Sequence, residues 1–514
     1  MRFVIPFGSG LRARALLLAL PILLEGVGPI RAAPPVTPSD NIAFLDRLSW
    51  GVTGTSFAEF QGKGRDRWLK EQLHPPLRPQ LPQEVSRQIA ALRAEGSLVE
   101  RVRSLELQAK AASAEADPDL KKIAQQAYQG SLNAAARDAA ATTLLHFLYS
   151  SDQLRERLTW FWFNRFNVHQ GKANLRLLVG DYIDTAIRPH ALGHFRDLLL
   201  ATLRHPAMLR YLDNADNAVG HVNENYAREI MELHTMGVGS GYTQGDVEAL
   251  ARILTGVGVE TRAEDPKLRP ERQQDLIRDG LFIFNPNRHD YGDKLFLGHV
   301  IHGRGFAEVE DALDILCHHP ATARNVSGAL VTYFTGAEPS DAQRQQLATI
   351  FTRSDGNLAA VMEALIRSPE FTASLGTQTK DPIRYLLSAL RLAYDGRVIL
   401  NTGPIQNWLS RLGEGLFSRT TPDGYPLLQA DWTGPGQMIA RFEIARQIGS
   451  GSAGLFRPLG ADAVEEPAFP LLQNALYFST LAATLSEPTR ASLSRAISPQ
   501  DWNTLFLSSP EFMR

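Results

Sequence analysis

Asn223-Glu-Asn-Tyr-Ala-Arg-Glu-Ile-Met-Glu-Leu-His-Thr-Met-Gly237, followed by Gly241-Tyr-Thr-Gln-Gly-Asp-Val-Glu-Ala-Leu-Ala-Arg-Ile-Leu-Thr-Gly256, is the most plainly punctuated stretch of the chain. Asn223 reads as an N-cap, Glu224 suits the positive first turn, and Gly237 supplies a left-handed stop. Thr243 to Asp246 is a capping box in its aspartate form, opening a second helix that stops at Gly256. The pair predicts a helical hairpin. On an ideal helix Asn225, Glu229 and Glu232 fall within about 60° of one another, so two carboxylates and an amide share a face. Arg228 can steady them through a Glu224, Arg228, Glu232 ladder. One reading of this face is a solvated ion-paired surface; its polar density beside Tyr226, Ile230 and Leu233 favours a site. His234 points toward the Ala227, Ile230 and Met231 side near the helix end, which suits a structural ring, or a site ring if another helix brings ligands to it.

Helical periodicity extends outward in both directions. It runs from residue 42, breaks at Gly51 to Gly54, resumes over 57–73 and stops in the proline-rich 75–82. Residues 84–141, rich in Ala, Leu, Glu, Gln and Arg, predict an antiparallel helical arm folded at Asp117-Pro118. Residues 260–303 lose the helical period and collect Pro, Asn, Asp and Gly, as a loop-rich insert with at most a small β element does. Residues 449–470 read as a linker into a C-terminal helical cap at 471–514. The expected fold class is therefore mainly α: one multi-helix, bundle-like domain over 33–514 with long ordered loops.

At the start, Arg2, Arg12 and Arg14 precede an apolar run over 15–24, and small residues surround a cut after Ala32, the order of a signal peptide. The run is much shorter than the roughly 20 residues of a membrane span, so no integral membrane segment is expected after cleavage. A periplasmic or secreted location follows. Cleavage removes four arginines and one glutamate from 53 basic and 55 acidic residues, leaving a formal charge of about −5, which gives nucleic acid no attraction. Cys317 is the only cysteine, so no internal disulfide forms.

Taken together, the paired segment 223–256 and Leu48-Ser-Trp-Gly-Val-Thr, Ile187-Arg-Pro-His190, Tyr211-Leu-Asp-Asn214, Arg288-His-Asp290, His319-Pro-Ala-Thr-Ala-Arg324 and Thr421-Pro-Asp-Gly-Tyr425 resemble the bacterial family called domain of unknown function 1800. The resemblance covers nearly all of the chain after residue 32. It implies export and, from the usual gene neighbourhood of members, a co-exported sulfatase-like partner, and it implies no mechanism. Members commonly carry Trp-His-Asn-His-Phe where this chain has Trp162-Phe-Asn-Arg-Phe166. Phe163 offers no lone pair and Arg165 repels a cation, so no metal is expected, and no other cofactor is expected because ATP and reduced nicotinamide are scarce outside the cytoplasm.

Neither a nucleophile elbow nor a phosphate-cradling loop is present. His190 and His194 have metal-compatible spacing on a helix begun by Pro189, His318 and His319 suit a helix end, and Trp162 follows core spacing. The leading expectation is an exported, cofactor-independent hydrolase-like enzyme acting on an envelope or extracellular polymer such as a polysaccharide. Its catalytic set is Glu229, Glu232, His289 and Asp290, with Asn164, Arg165, Asn225, Arg228 and His234 binding substrate. Two acids one helical turn apart lie closer than the about 5–9 Å of paired glycosidase acids, so Asp290 is the expected partner acid. The alternatives are a non-catalytic binding or assembly protein, with the polar segment as a core-fixing network, and a family member whose metal site has degenerated.

Overall fold

Twelve consecutive residues, Gln153 to Asn164, are buried along one helix, Gln153–Arg165, which is therefore covered on every side and forms the centre of the molecule. The computed structural model describes residues 37–93, 95–172, 174–457 and 469–514. The expected signal peptide and most of the expected linker lie outside the described residues. Trp162 is fully buried and its indole N–H donates to the Ala191 carbonyl at 2.9 Å, so it belongs to the core.

Charges inside this centre are matched individually. Glu156 is fully buried and accepts from Arg188 at 3.0 Å, while Arg188 also reaches Asp184. The Arg157 guanidinium has no hydrogen-bond acceptor, and instead lies 4.6 Å from the Trp50 ring and 4.8 Å from the Tyr333 ring. Aromatic faces replace the missing oxygens. Glu414 is also buried, accepting from the Trp160 indole at 3.3 Å and the Ile383 N–H at 2.9 Å. Burial first, and Asp381 second, push its carboxyl well above the ordinary range. A raised folded-state value means that the stability due to Glu414 is complete below the ordinary carboxyl pKa, and is lost as pH climbs above it. Denaturant midpoints at pH 5 and pH 7.5 are therefore expected to separate less for Glu414→Gln than for the unaltered protein; parallel shifts in both proteins contradict this.

The architecture is mainly α, and Pro38–Arg514 forms one compact unit. Helix Leu98–Ala114 opens with a Ser97 to Glu100 capping box. Helix Pro118–Tyr149 opens on the Asp117 carboxylate, which accepts from the Asp119 and Leu120 N–H groups at 2.9 and 3.0 Å. These two helices pack together as an arm, with the three-residue connection making them antiparallel. The second half of the longer helix, from Ala140 to Leu148, enters the core. No helix among the described residues is long and apolar enough to cross a membrane.

The strand-bearing insert starts at Val257, directly after the Gly256 stop. β1 (Val257–Val259), β2 (Ile277–Asp279) and β3 (Phe282–Phe284) form an antiparallel sheet in the order β1-β3-β2, pairing Val257 and Ile277 with Phe284. β4 (Lys294–Phe296) and β5 (His299–Ile301) make a hairpin. Its turn is tied back by the Leu297 N–H, which donates to Asp246 at 2.7 Å. The same carboxylate closes the Thr243 capping box.

Candidate functional site

The carboxylate face forms on a helix that changes pitch. Asn223 receives the Asn225 N–H at 2.9 Å, and the regular helix starts one residue later than an N-cap at Asn223 implies, as Asn225–Glu229. From Ile230–His234 the bonding widens to a π-turn, in which the Thr235 N–H reaches the Ile230 carbonyl at 2.9 Å and the Gly237 N–H reaches Met231 at 3.0 Å. Gly237, at φ +93°, ends it. Ideal 100° spacing fails across this turn, a distortion frequent at functional sites.

The expected ladder is present. Arg228 lies 3.2 Å from Glu224 and 3.6 Å from Glu232, and Gln244 of the following helix bridges Glu224 and Arg228 at 2.8 Å each. Glu229 takes no part in it. Among the described residues the Glu229 side chain makes no hydrogen bond and no ion pair, yet it is half-buried. Its carboxyl is pushed above the ordinary range, first by burial, then by the negative charges of Glu232 and Asp423, with Arg228 opposing.

Asp423 is the acid that sequence reasoning missed. It sits in the segment 416–425, which is fastened to the end of the central helix by two asparagines. Asn164 donates to the Tyr425 carbonyl at 2.9 Å and accepts the Tyr425 N–H at 2.6 Å; Asn167 donates to the carbonyls of Arg419 and Thr421 at 3.0 and 2.8 Å. The Tyr211 hydroxyl adds a bond to the Thr420 carbonyl at 2.8 Å. Within the segment, Arg419 holds both Asp423 oxygens at 3.1 Å and Thr421 donates to the same carboxylate. The Tyr211 phenol is raised to about 12 by burial, then by the negative charges of Glu229 and Asp423. The signal available in the sequence was Thr421-Pro-Asp-Gly-Tyr425, a turn motif.

Asn164 is therefore a positioning residue. Asn225 is exposed and turns to the Leu212 carbonyl at 3.2 Å, near the Asp213 to Lys172 pair. Arg165 donates to the His234 carbonyl at 3.3 Å, while its Nη2 is buried without a partner and burial lowers the guanidinium to about 10. The His234 ring is fully buried 4.8 Å from Phe166, with neither nitrogen bonded; burial and then Arg165 push it down to about 3, so it stays neutral. Phe163 fills its place with carbon, stacked 5.8 Å from Trp160 and packed 5.0 Å from Phe417. This donor set does not fit a metal, because the one unbonded imidazole lies beside a guanidinium and has no second ligand. Among the described residues no group of three or more His, Cys, Asp or Glu is arranged to hold one.

His289 and Asp290, expected beside the glutamates, belong to a different network. Both His289 nitrogens face oxygens, Thr255 O at 2.8 Å and Glu308 at 2.8 Å. Lys294 completes a buried trio with Glu308, and Asp290 pairs with Arg252 at 2.7 Å. These bonds sew the insert onto helices Gln244–Ile253 and Phe306–His318. Asp290 is thus committed elsewhere, and the acid near Glu229 is Asp423. His190 and His194 do not share a helix either: His190 ends a short 3-10 turn, whereas His194 precedes helix Phe195–Arg204 and bonds the Asp355 carbonyl at 2.8 Å.

The family model described as Protein of unknown function (DUF1800) matches residues 43–514. The chain belongs to this family. No curated protein and no solved structure matches it significantly. In this DUF1800 protein, then, the acid face is interpreted from its own geometry. It joins one unpaired, half-buried glutamate to an arginine-held aspartate across two segments remote in sequence.

Proposed function

We propose that this DUF1800 protein is an exported, cofactor-independent hydrolase that cleaves glycosidic bonds in an envelope or extracellular polysaccharide, with Glu229 and Asp423 as its acid and base. The observation that carries the reading is the contrast between the two carboxyls: Glu229 has no partner and a raised pKa, whereas Asp423 is held by Arg419. Environments that set two acids apart are how one site runs acid and base chemistry at a single pH. Glu229 delivers its proton to the glycosidic oxygen as the bond to the anomeric carbon breaks. Asp423 takes a proton from the water whose oxygen bonds to that carbon. Burial first, and the charge of Glu232 second, raise the Glu229 pKa and so favour its acid form, and Arg228 keeps Glu232 in place. A co-exported sulfatase-like protein is the natural partner within this reading, working on the same polymer.

The purified protein, tested on a panel of envelope and extracellular polysaccharides, is expected to release reducing ends. Glu229→Gln and Asp423→Asn should each lower the rate by about 10²–10⁴-fold. Because the acid must be protonated, the rate should fall as pH rises through the raised Glu229 value, and this limb should vanish in Glu229→Gln. Equal product from the unaltered protein and both variants overturns the assignment.

A further inference from the structure

The segment that carries Asp423 to Glu229 also forms the rim of an open cavity of about 570 Å³, through Leu416 and Ser418. Helix Pro118–Tyr149 supplies one wall and helix Gly403–Arg411 another. Arg137, Arg176 and His169 line it, together with Gln406, Ser410 and Ser418, and no acidic residue does. Neither arginine forms an ion pair. Arg176 is held by neutral oxygens, Asn133 at 2.6 Å and Gln129 at 2.9 Å, and the Arg137 side chain makes no hydrogen bond among the described residues, its charge acting only on the adjacent half-buried Asp138. Two full positive charges therefore face one cavity on a chain whose overall charge is slightly negative. His169 adds a ring whose Nδ1 is buried and unbonded.

The neutral lining is as informative as the charged part. Gln406 donates through Nε2 to the Arg137 carbonyl and Thr402, leaving its amide oxygen as an acceptor. Ser418 receives Gln170 at 3.0 Å, the contact that fixes the rim. Amides and hydroxyls of this kind match the donors and acceptors of sugar hydroxyls, and planar guanidinium forks match the two oxygens of a carboxylate or sulfate. The volume lies within the range of small-ligand sites. No tryptophan, tyrosine or phenylalanine lines the cavity, so neither a nucleobase nor a neutral sugar finds a stacking face there.

We propose that this cavity binds an acidic sugar unit, carboxylated or sulfated, of an oligosaccharide, with Arg137 and Arg176 as its anion-recognising residues. The carbohydrate class rests on the hydrolase reading above; the need for an anion rests on the cavity alone. Titration calorimetry should be run with an oligogalacturonate tetramer, a heparin-derived tetrasaccharide, cellotetraose and inorganic sulfate, against the unaltered protein, Arg137→Gln, Arg176→Gln and Glu229→Gln. At least one acidic tetramer should bind, more weakly as salt is raised, and the tighter of the two identifies the acid as carboxylate or sulfate. Each arginine substitution should weaken binding about tenfold, while Glu229→Gln leaves it unchanged. Arg137 is exposed and Arg176 half-buried, and an unaltered melting temperature confirms that the variants fold. Cellotetraose binding as tightly as the acidic tetramers, free sulfate binding as tightly as either, or arginine variants binding as well as the parent each overturns the proposal. Arginine-dependent binding without any polymer cleavage upholds the cavity assignment while removing the hydrolase.

Discussion

Glu308→Leu is expected to destabilise the protein by about 3–5 kcal/mol, the cost of removing one partner from a buried charge network. The Glu308 side chain is fully buried, and its Oε1 accepts from His289 at 2.8 Å and from the N–H groups of Arg304 and Gly305 at 2.7 and 3.0 Å. Its Oε2 pairs with Lys294, whose side chain is also 0 % exposed. Leucine leaves an ammonium, an imidazole and two backbone N–H groups facing hydrocarbon. Burial alone raises the Glu308 pKa, yet the bonds from His289 and Lys294 bring it below the ordinary value. The stability it contributes is thus present above the ordinary carboxyl pKa, and disappears as pH falls through the lowered one. Urea denaturation at pH 7 measures the loss. Adding Lys294→Met to Glu308→Leu should recover part of it, because the orphaned charge goes too; a single variant as stable as its parent contradicts the argument.

Gly424→Ala is expected to abolish the polysaccharide cleavage proposed above while leaving the protein folded. At φ +75° a side chain is already strained, and a Cβ there would sit 2.1 Å from the Asn164 carbonyl oxygen and 2.7 Å from Asn164 Oδ1. The carbonyl belongs to the rigid central helix, so the segment has to retreat. Both Asn164 bonds to Tyr425 go with it, and Asp423 leaves Glu229. Stability should fall by about 1–3 kcal/mol, since one strained residue and a peripheral clasp are affected. The rate should fall as far as in Asp423→Asn, and limited proteolysis should open new cuts near residues 416–425. An alanine variant that keeps both parental turnover and parental protease resistance contradicts the clasp.

Local chemistry made much of this fold legible. The Thr243 to Asp246 box, the Asp117-Pro118 break, the Gly237 stop and the His319-Pro320 helix boundary need only neighbouring residues, and each stands where the sequence placed it. The burial of Trp162 likewise followed from periodicity. Half of the candidate site was hidden for a physical reason. The segment that bears Asp423 is held at the central helix by hydrogen bonds from Asn164 and Asn167 spanning a quarter of a thousand residues, and no spacing rule reports such bonds. His289-Asp290 looked available because its neutralising partners, Glu308 and Arg252, lie on helices on either side of it. The pitch change after Glu229 was invisible as well, since a π-turn has no composition of its own.

The clasp between Asn164 and Tyr425 also sets a schedule. Its two ends lie 261 positions apart, which at about 5–20 residues per second is a delay of roughly 13–50 s between synthesis of the first wall and the second. For most of that interval, the 194 positions from Glu229 to Asp423, a growing chain carries Glu229 with no Asp423 opposite it. The geometry of the acid face thus leaves any nascent or truncated product that ends before Asp423 with only one wall of the candidate site.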